Sequence, residues 1–145
     1  MRERARYSKR DEEYLEAMLI LLRDKGVIRV KDIAKTLGIK PSSVVSFLEK
    51  LAEKGLVEYR KYDFIRLTKK GKEIAERVYQ RHKIIKDFLI EVLNVPENIA
   101  EKDACYIEHG LHEETLNRMI QLLKVIRENR QIKEIILREL SSTYK

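Results

Sequence analysis

Three glycines and one proline cut the first half of this chain into segments that leave room only for short helices. Gly26, Gly38 and Gly55 each close an amphipathic stretch, and Pro41 stands where a new one opens. Glycine just past the last periodic residue stops a helix. Proline in a first turn starts one, because the N–H it lacks has no intrahelical partner there. The pattern predicts helices over about Ser8 to Asp24, Val30 to Leu37 and Pro41 to Lys54. The first carries an apolar stripe of Tyr14, Ala17, Met18, Leu21 and Leu22, and the third buries Val44, Leu48 and Leu51. Two short helices joined through Leu37-Gly38-Ile39 match a helix-turn-helix. The run from Leu56 to Leu67 then reads as two short strands around a turn, which is the expected wing.

Beyond the wing the period becomes helical throughout. Thr68 is placed to cap a long helix from Lys69 to about Leu93, with Ile74, Val78, Ile85, Leu89 and Val92 on its apolar face. Val95-Pro96 breaks the chain, and three more helical runs follow at about Pro96–His109, Glu113–Glu128 and Arg130–Leu140. The last carries Ile132, Ile135, Ile136 and Leu140 in a stripe that must be buried on its own subunit or on a partner. The fold class is mainly α: a winged helix-turn-helix over residues 1–70, then a helical domain over 71–145.

Charge separates the two parts. Residues 1–70 hold 18 Lys/Arg against 11 Asp/Glu, a balance of +7, whereas residues 71–145 hold 13 of each. The whole excess lies where a polyanion would be met, although a solvated basic face would look the same. In a helix-turn-helix the third helix enters the major groove N-terminus first. Its outward positions are Pro41, Ser42, Ser43, Ser46 and Lys50, with Val45 and Phe47 partly outward. The serines either contact DNA or merely cap the helix. Arg60 and Lys61 near the wing tip suit phosphates. The cluster Arg2, Arg4, Arg6, Lys9 and Arg10 reads either as a minor-groove arm or as a solvated tail.

No apolar run approaches the roughly 20 residues of a membrane span. The charged start Met1-Arg2-Glu3-Arg4 lacks the apolar centre of a signal peptide, and a single cysteine forms no internal disulfide. A cytoplasmic protein is expected.

Cys105, Glu108 and His109 lie three and four residues apart, so a helix would carry all three on one face. Thiolate, carboxylate and imidazole are transition-metal ligands. His82 on the long helix, and Glu13 and Glu16 on the first, are candidates to complete such a site. Each of these three alone reads as an ordinary surface polar residue.

The pieces Glu13-Tyr14-Leu15-Glu16, Asp32-Ile33-Ala34, Pro41-Ser42-Ser43-Val44, Leu67-Thr68-Lys69-Lys70-Gly71, Arg81-His82 and Ile107-Glu108-His109 occur in one order over about residues 8–127. In that set the chain resembles the diphtheria-toxin-repressor and manganese-transport-regulator family of metal-dependent transcriptional repressors. The resemblance implies a homodimer with a helical metal-binding and dimerisation domain behind the winged helix. It implies Fe(II) or Mn(II) as corepressor, with Co(II), Ni(II) or Zn(II) as stand-ins in vitro, and operator DNA as the partner. By position, Glu13, Glu16, His82, Cys105, Glu108 and His109 fall on the family's metal ligands. Cys105 is the iron-type choice and the paired acids Glu13 and Glu16 the manganese-type choice, so the set is a hybrid. Lys86 and Glu101 stand where iron-type members place a glutamate and a histidine of an ancillary site. With its last residue at Lys145, the chain is expected to follow the short manganese type, without an SH3-like domain.

Ligands split between the two halves imply a mechanism. Metal would tie the halves together and set the spacing of the recognition helices in the dimer, which must match the operator half-sites. The rival is a metal-independent winged-helix regulator, which leaves the ligand constellation to chance. An enzyme is not expected: there is no glycine-rich phosphate loop, no HExxH and no nucleophile–base pair. Neither a membrane nor a small-molecule substrate is expected as partner.

Overall fold

The computed structural model describes residues 7–62 and 64–143. It divides into two compact units, Met1–Tyr79 and Gln80–Lys145. Arg2, Arg4 and Arg6 of the N-terminal basic cluster lie outside the described residues.

In the first unit, α1 (Lys9–Lys25) starts at a reciprocal cap. The Asp11 N–H donates to Ser8 Oγ at 3.1 Å, and the Ser8 N–H donates to Asp11 Oδ2 at 3.0 Å. Two orphan donors are satisfied by one pair of side chains. The same Asp11 oxygen receives Lys54 Nζ at 2.7 Å, tying the start of α1 to the end of α3 (Pro41–Glu53). Between them α2 (Val30–Leu37) stops at Gly38, whose φ of 67° lies in the left-handed region that side chains disfavour.

The core of this unit is larger than one stripe of α1. Leu15 and Leu19 are as buried as Tyr14 and Met18, while Leu22, expected inside, is 37% exposed. A helix covered on more than one side buries more than one stripe, and Leu22 falls on the uncovered arc. Ile33, Val44, Leu48, Leu51 and Leu56 complete the centre, with Ile74 and Val78 closing it. Tyr14 stacks on Phe47 with ring centroids 4.2 Å apart.

The wing is an antiparallel pair, β1 (Val57–Arg60) and β2 (Phe64–Leu67), in register from Val57 opposite Leu67 to Arg60 opposite Phe64. Thr68 then caps α4 (Lys69–Glu91): its hydroxyl accepts the Gly71 N–H at 3.1 Å and donates to the Gly55 carbonyl at 2.8 Å.

The second unit takes the C-terminal part of α4 with α5 (Glu97–Ile107), α6 (Glu113–Glu128) and α7 (Arg130–Thr143). Ile85 and Leu89 of α4 meet Ala100 and Ala104 of α5 and Leu116 of α6. The two alanines let α5 approach closely. A second cluster joins Val92, Leu123 and Ile126, with Ile132 and Ile136 of α7 packed on it. Ile135, expected in the same stripe, is 50% exposed. Arg127 braces α6 on α4 through Glu91 and Asp87, at 2.7 and 3.0 Å. No helix among the described residues is long and apolar enough to cross a membrane.

Candidate metal centre and nucleic-acid interface

The candidate metal-ligating side chains of the second unit are brought together by the packing of α5 on α4. One potential ligand atom each from His82, Cys105 and Glu108 lies within 4.8 Å of the other two. Ligands at roughly 2.0–2.3 Å from a common ion stand about 3–4.5 Å apart, so a metal fits with little rearrangement. The donor set of imidazole, thiol and carboxylate suits a transition metal.

Glu108 is the pivot. Its side chain is 1% exposed, with Oε2 2.8 Å from His82 Nδ1 and Oε1 3.0 Å from His109 Nε2. Burial alone would push its carboxyl up, but hydrogen bonds from His109 and His82, together with their charges, hold it below the usual carboxylate range. His82 moves the other way. Hydrogen bonding to Cys105, then to Glu108, pushes its pKa up to about 11 against the effect of burial. Without metal, a proton on His82 neutralises the carboxylate in place of a cation.

The helix carrying these residues is shorter than its sequence period suggested. α5 ends at Ile107; Glu108 is its cap with helical φ and ψ of −56° and −32°, and His109 stands in the following turn. Cys105 and Glu108 therefore share the helical face with His82 opposite, while His109 reaches the other oxygen of Glu108. Cys105 is exposed. The turn is held by Arg81, which donates to the Glu108 carbonyl at 3.1 Å and pairs with Glu113 at 3.3 Å. The piece Arg81-His82 stands out in the sequence, but this role does not, since it joins residues 27 apart. Glu101, too, was more than a position in a motif: its Oε1 lies 2.8 Å from His82 Nε2.

Glu13 and Glu16 belong to α1 of the first unit, both half-buried, with Glu13 3.8 Å from Lys9 Nζ.

On α3 the expected outward residues Pro41, Ser42, Ser43, Ser46 and Lys50 are exposed, and Val45 and Phe47 half-buried. The N-cap is Lys40, with no side-chain capping bond, so Ser42 and Ser43 lie inside the first turn with exposed side chains rather than at the cap. The Ser46 hydroxyl donates to the Ser42 carbonyl at 3.2 Å. Arg10 lies over the Phe47 ring at 5.5 Å and lines a shallow concavity with Ser42, Ser43, Ser46 and Lys50. A larger recess of about 440 Å³ is lined by Arg29, Val45 and the wing residues Arg60, Lys61 and Tyr62. Arg60 and Lys61 are exposed as expected. Arg10 and Arg29 extend the basic surface. Their nearness to α3 depends on packing that no local spacing encodes.

Residues 6–64 match the iron dependent repressor N-terminal DNA binding domain, and residues 68–137 match the iron dependent repressor metal binding and dimerisation domain. An uncharacterised HTH-type transcriptional regulator of Methanocaldococcus jannaschii is 40% identical over 109 residues, 74% of this chain and 87% of that protein. The chain belongs to the iron-dependent repressor family. The HTH-type transcriptional regulator MntR of Lysinibacillus sphaericus is 36% identical over 121 residues, 83% of this chain and 86% of that protein. The crystal structure of T. acidophilum IdeR matches with a TM-score of 0.71 at 28% identity, covering 78% of this chain and 53% of that one. This chain thus spans about half the length of that solved chain. The family is one of metal-dependent DNA-binding transcriptional regulators, and a match to its metal-binding domain disfavours the metal-independent reading.

Proposed function

We propose that this repressor-family member acts in the cytoplasm as a homodimer that binds operator DNA when Fe(II) or Mn(II) occupies its metal centre. The single observation that carries the reading is the convergence of His82, Cys105 and Glu108 within 4.8 Å, with Glu108 buried. His109 joins through Glu108, and Glu13 and Glu16 enter as further ligands on the strength of the sequence resemblance. The bound ion supplies positive charge and fixed coordination in place of the His82 proton. Ser42, Ser43, Ser46, Lys50 and Pro41 read the groove, while Arg60 and Lys61 hold phosphates. Metal that binds the DNA-competent form better than the other favours that form, and DNA reciprocally tightens metal. The exposed Leu122, Val125 and Ile135 of α6 and α7 support a second copy as partner.

The test is operator binding with Fe(II), Mn(II), Co(II), Ni(II) and Zn(II) in turn, each against a chelator control. Binding should appear only with metal. Equal affinity in chelator and in saturating Fe(II) or Mn(II) overturns the reading.

A further inference from the structure

His82 offers two ring nitrogens, and the structure gives them different neighbours. Nδ1 faces Glu108 Oε2 at 2.8 Å, on the side of the proposed metal centre. Nε2 faces Glu101 Oε1 at 2.8 Å. The second oxygen of Glu101 is 2.9 Å from Lys86 Nζ, and the same ammonium lies 3.3 Å from Glu97 Oε1. His82 and Lys86 stand four apart on α4, and Glu97 and Glu101 four apart on α5, so the two pairs face each other across the packed helices.

The geometry points to Lys86 and Glu101 as a positioning clamp that prepares His82 to bind metal through Nδ1. The clamp rests on the assignment of His82, Cys105 and Glu108 as the metal centre, and it adds two residues that hold no metal themselves. A metal takes the lone pair of one ring nitrogen, so the ring proton must sit on the other. With metal at Nδ1 the proton is on Nε2, donated to the Glu101 carboxylate. This bond fixes both tautomer and ring orientation, as carboxylates behind metal-bound histidines generally do. Glu101 is half exposed and would wander by itself; Lys86, with a side chain 25% exposed, is better held and keeps the carboxylate in place. Glu97 in turn holds the ammonium. The cation here is covalently part of α4, so the carboxylates facing it need no second ion.

The purified full-length chain is titrated with Co(II), and separately with Zn(II), against a chromophoric chelator. Wild type is compared with Glu101→Ala, Lys86→Met, Lys86→Arg and Glu108→Ala. The clamp predicts affinity weaker by about 10–100-fold in Glu101→Ala, with unchanged stoichiometry and Co(II) spectrum. Lys86→Met should weaken binding in the same direction, and Lys86→Arg should restore it. Nitrogen-15 NMR of the Zn(II) form should show the His82 proton on Nε2 in wild type, exchanging faster with solvent in Glu101→Ala. An affinity within twofold of wild type in Glu101→Ala overturns the clamp, as does a proton found on Nδ1. Loss of a metal equivalent or an altered Co(II) spectrum in Glu101→Ala overturns it too, because Glu101 would then be a ligand. If Glu108→Ala loses metal while Glu101→Ala does not, the clamp alone falls. If Glu108→Ala binds like wild type, the metal centre falls and the clamp with it.

Discussion

At the scale of single residues, His82 carries the sharpest consequence. Its pKa is raised to about 11, chiefly by Cys105 and Glu108, so the metal-free protein holds a proton there at neutral pH. A group raised from 6.5 stabilises the metal-free fold fully below that value, and the contribution is lost as pH rises through about 11. Metal requires the neutral ring and must displace this proton. Affinity should therefore climb by ~tenfold per pH unit from this residue, with about one proton released per metal bound at His82. Calorimetry in two buffers of different ionisation enthalpy measures the release, and identical heats in both would contradict it. Cys105 sets a second expectation. Cys105, exposed and beside buried Glu108, would add a soft donor to a harder set. The Co(II) form should show a thiolate charge-transfer band that Cys105→Ser removes; wild type should respond to Fe(II) at lower free metal than to Mn(II), a gap that Cys105→Glu should narrow. A wild-type Co(II) spectrum without that band leaves the sulfur outside the coordination sphere. The spacing of Cys105, Glu108 and His109 was legible in the chain. The particular partner of each nitrogen and oxygen was not, because hydrogen bonds at a separation of 26 residues follow helix packing rather than local pattern.

At the scale of elements, the caps and breaks agree closely with the chain. Gly38, Pro41 and Thr68 stand where helices stop and start, since these positions depend on backbone chemistry within a few residues. Gly71 shows what local chemistry leaves out. It lies inside the first turns of α4, where alanine is ordinarily the better helix former. A Cβ there would run into the Leu56 carbonyl oxygen, which also accepts the Thr68 N–H at 3.1 Å. Backbone held by a hydrogen bond yields little, so Gly71→Ala should destabilise the first unit by roughly 1–3 kcal/mol despite the gain in helix propensity. Urea denaturation checks this, and an unchanged or raised midpoint would show that α4 shifts freely. The end of α5 was misplaced by two residues for a related reason. Helical period continues through His109, but the Gly110 and Leu111 N–H groups both turn back to the Ile107 carbonyl and close the helix there.

At the scale of the molecule, charge and hydrophobic pattern govern. The excess of +7 confined to residues 1–70 predicts DNA binding that weakens steeply with salt. Six phosphate contacts would lose about 10³-fold between 50 and 200 mM. Filter-binding across that range reads the slope, and a flat response would argue that the basic surface does not meet phosphate. The order of elements, the wing after the third helix and the candidate ligand types near residue 105 were all legible in the chain, because helix period, turn chemistry and side-chain chemistry are properties of neighbouring residues. Tertiary structure alone decided that α1 buries two stripes rather than one, that Arg10 and Arg29 extend the surface around α3, and that His82 meets Glu108 on one nitrogen and Glu101 on the other. Those outcomes depend on which apolar faces close on each other, here Ile85 and Leu89 against Ala100 and Ala104, and a contact between distant helices is set by that shared burial rather than by either sequence segment alone.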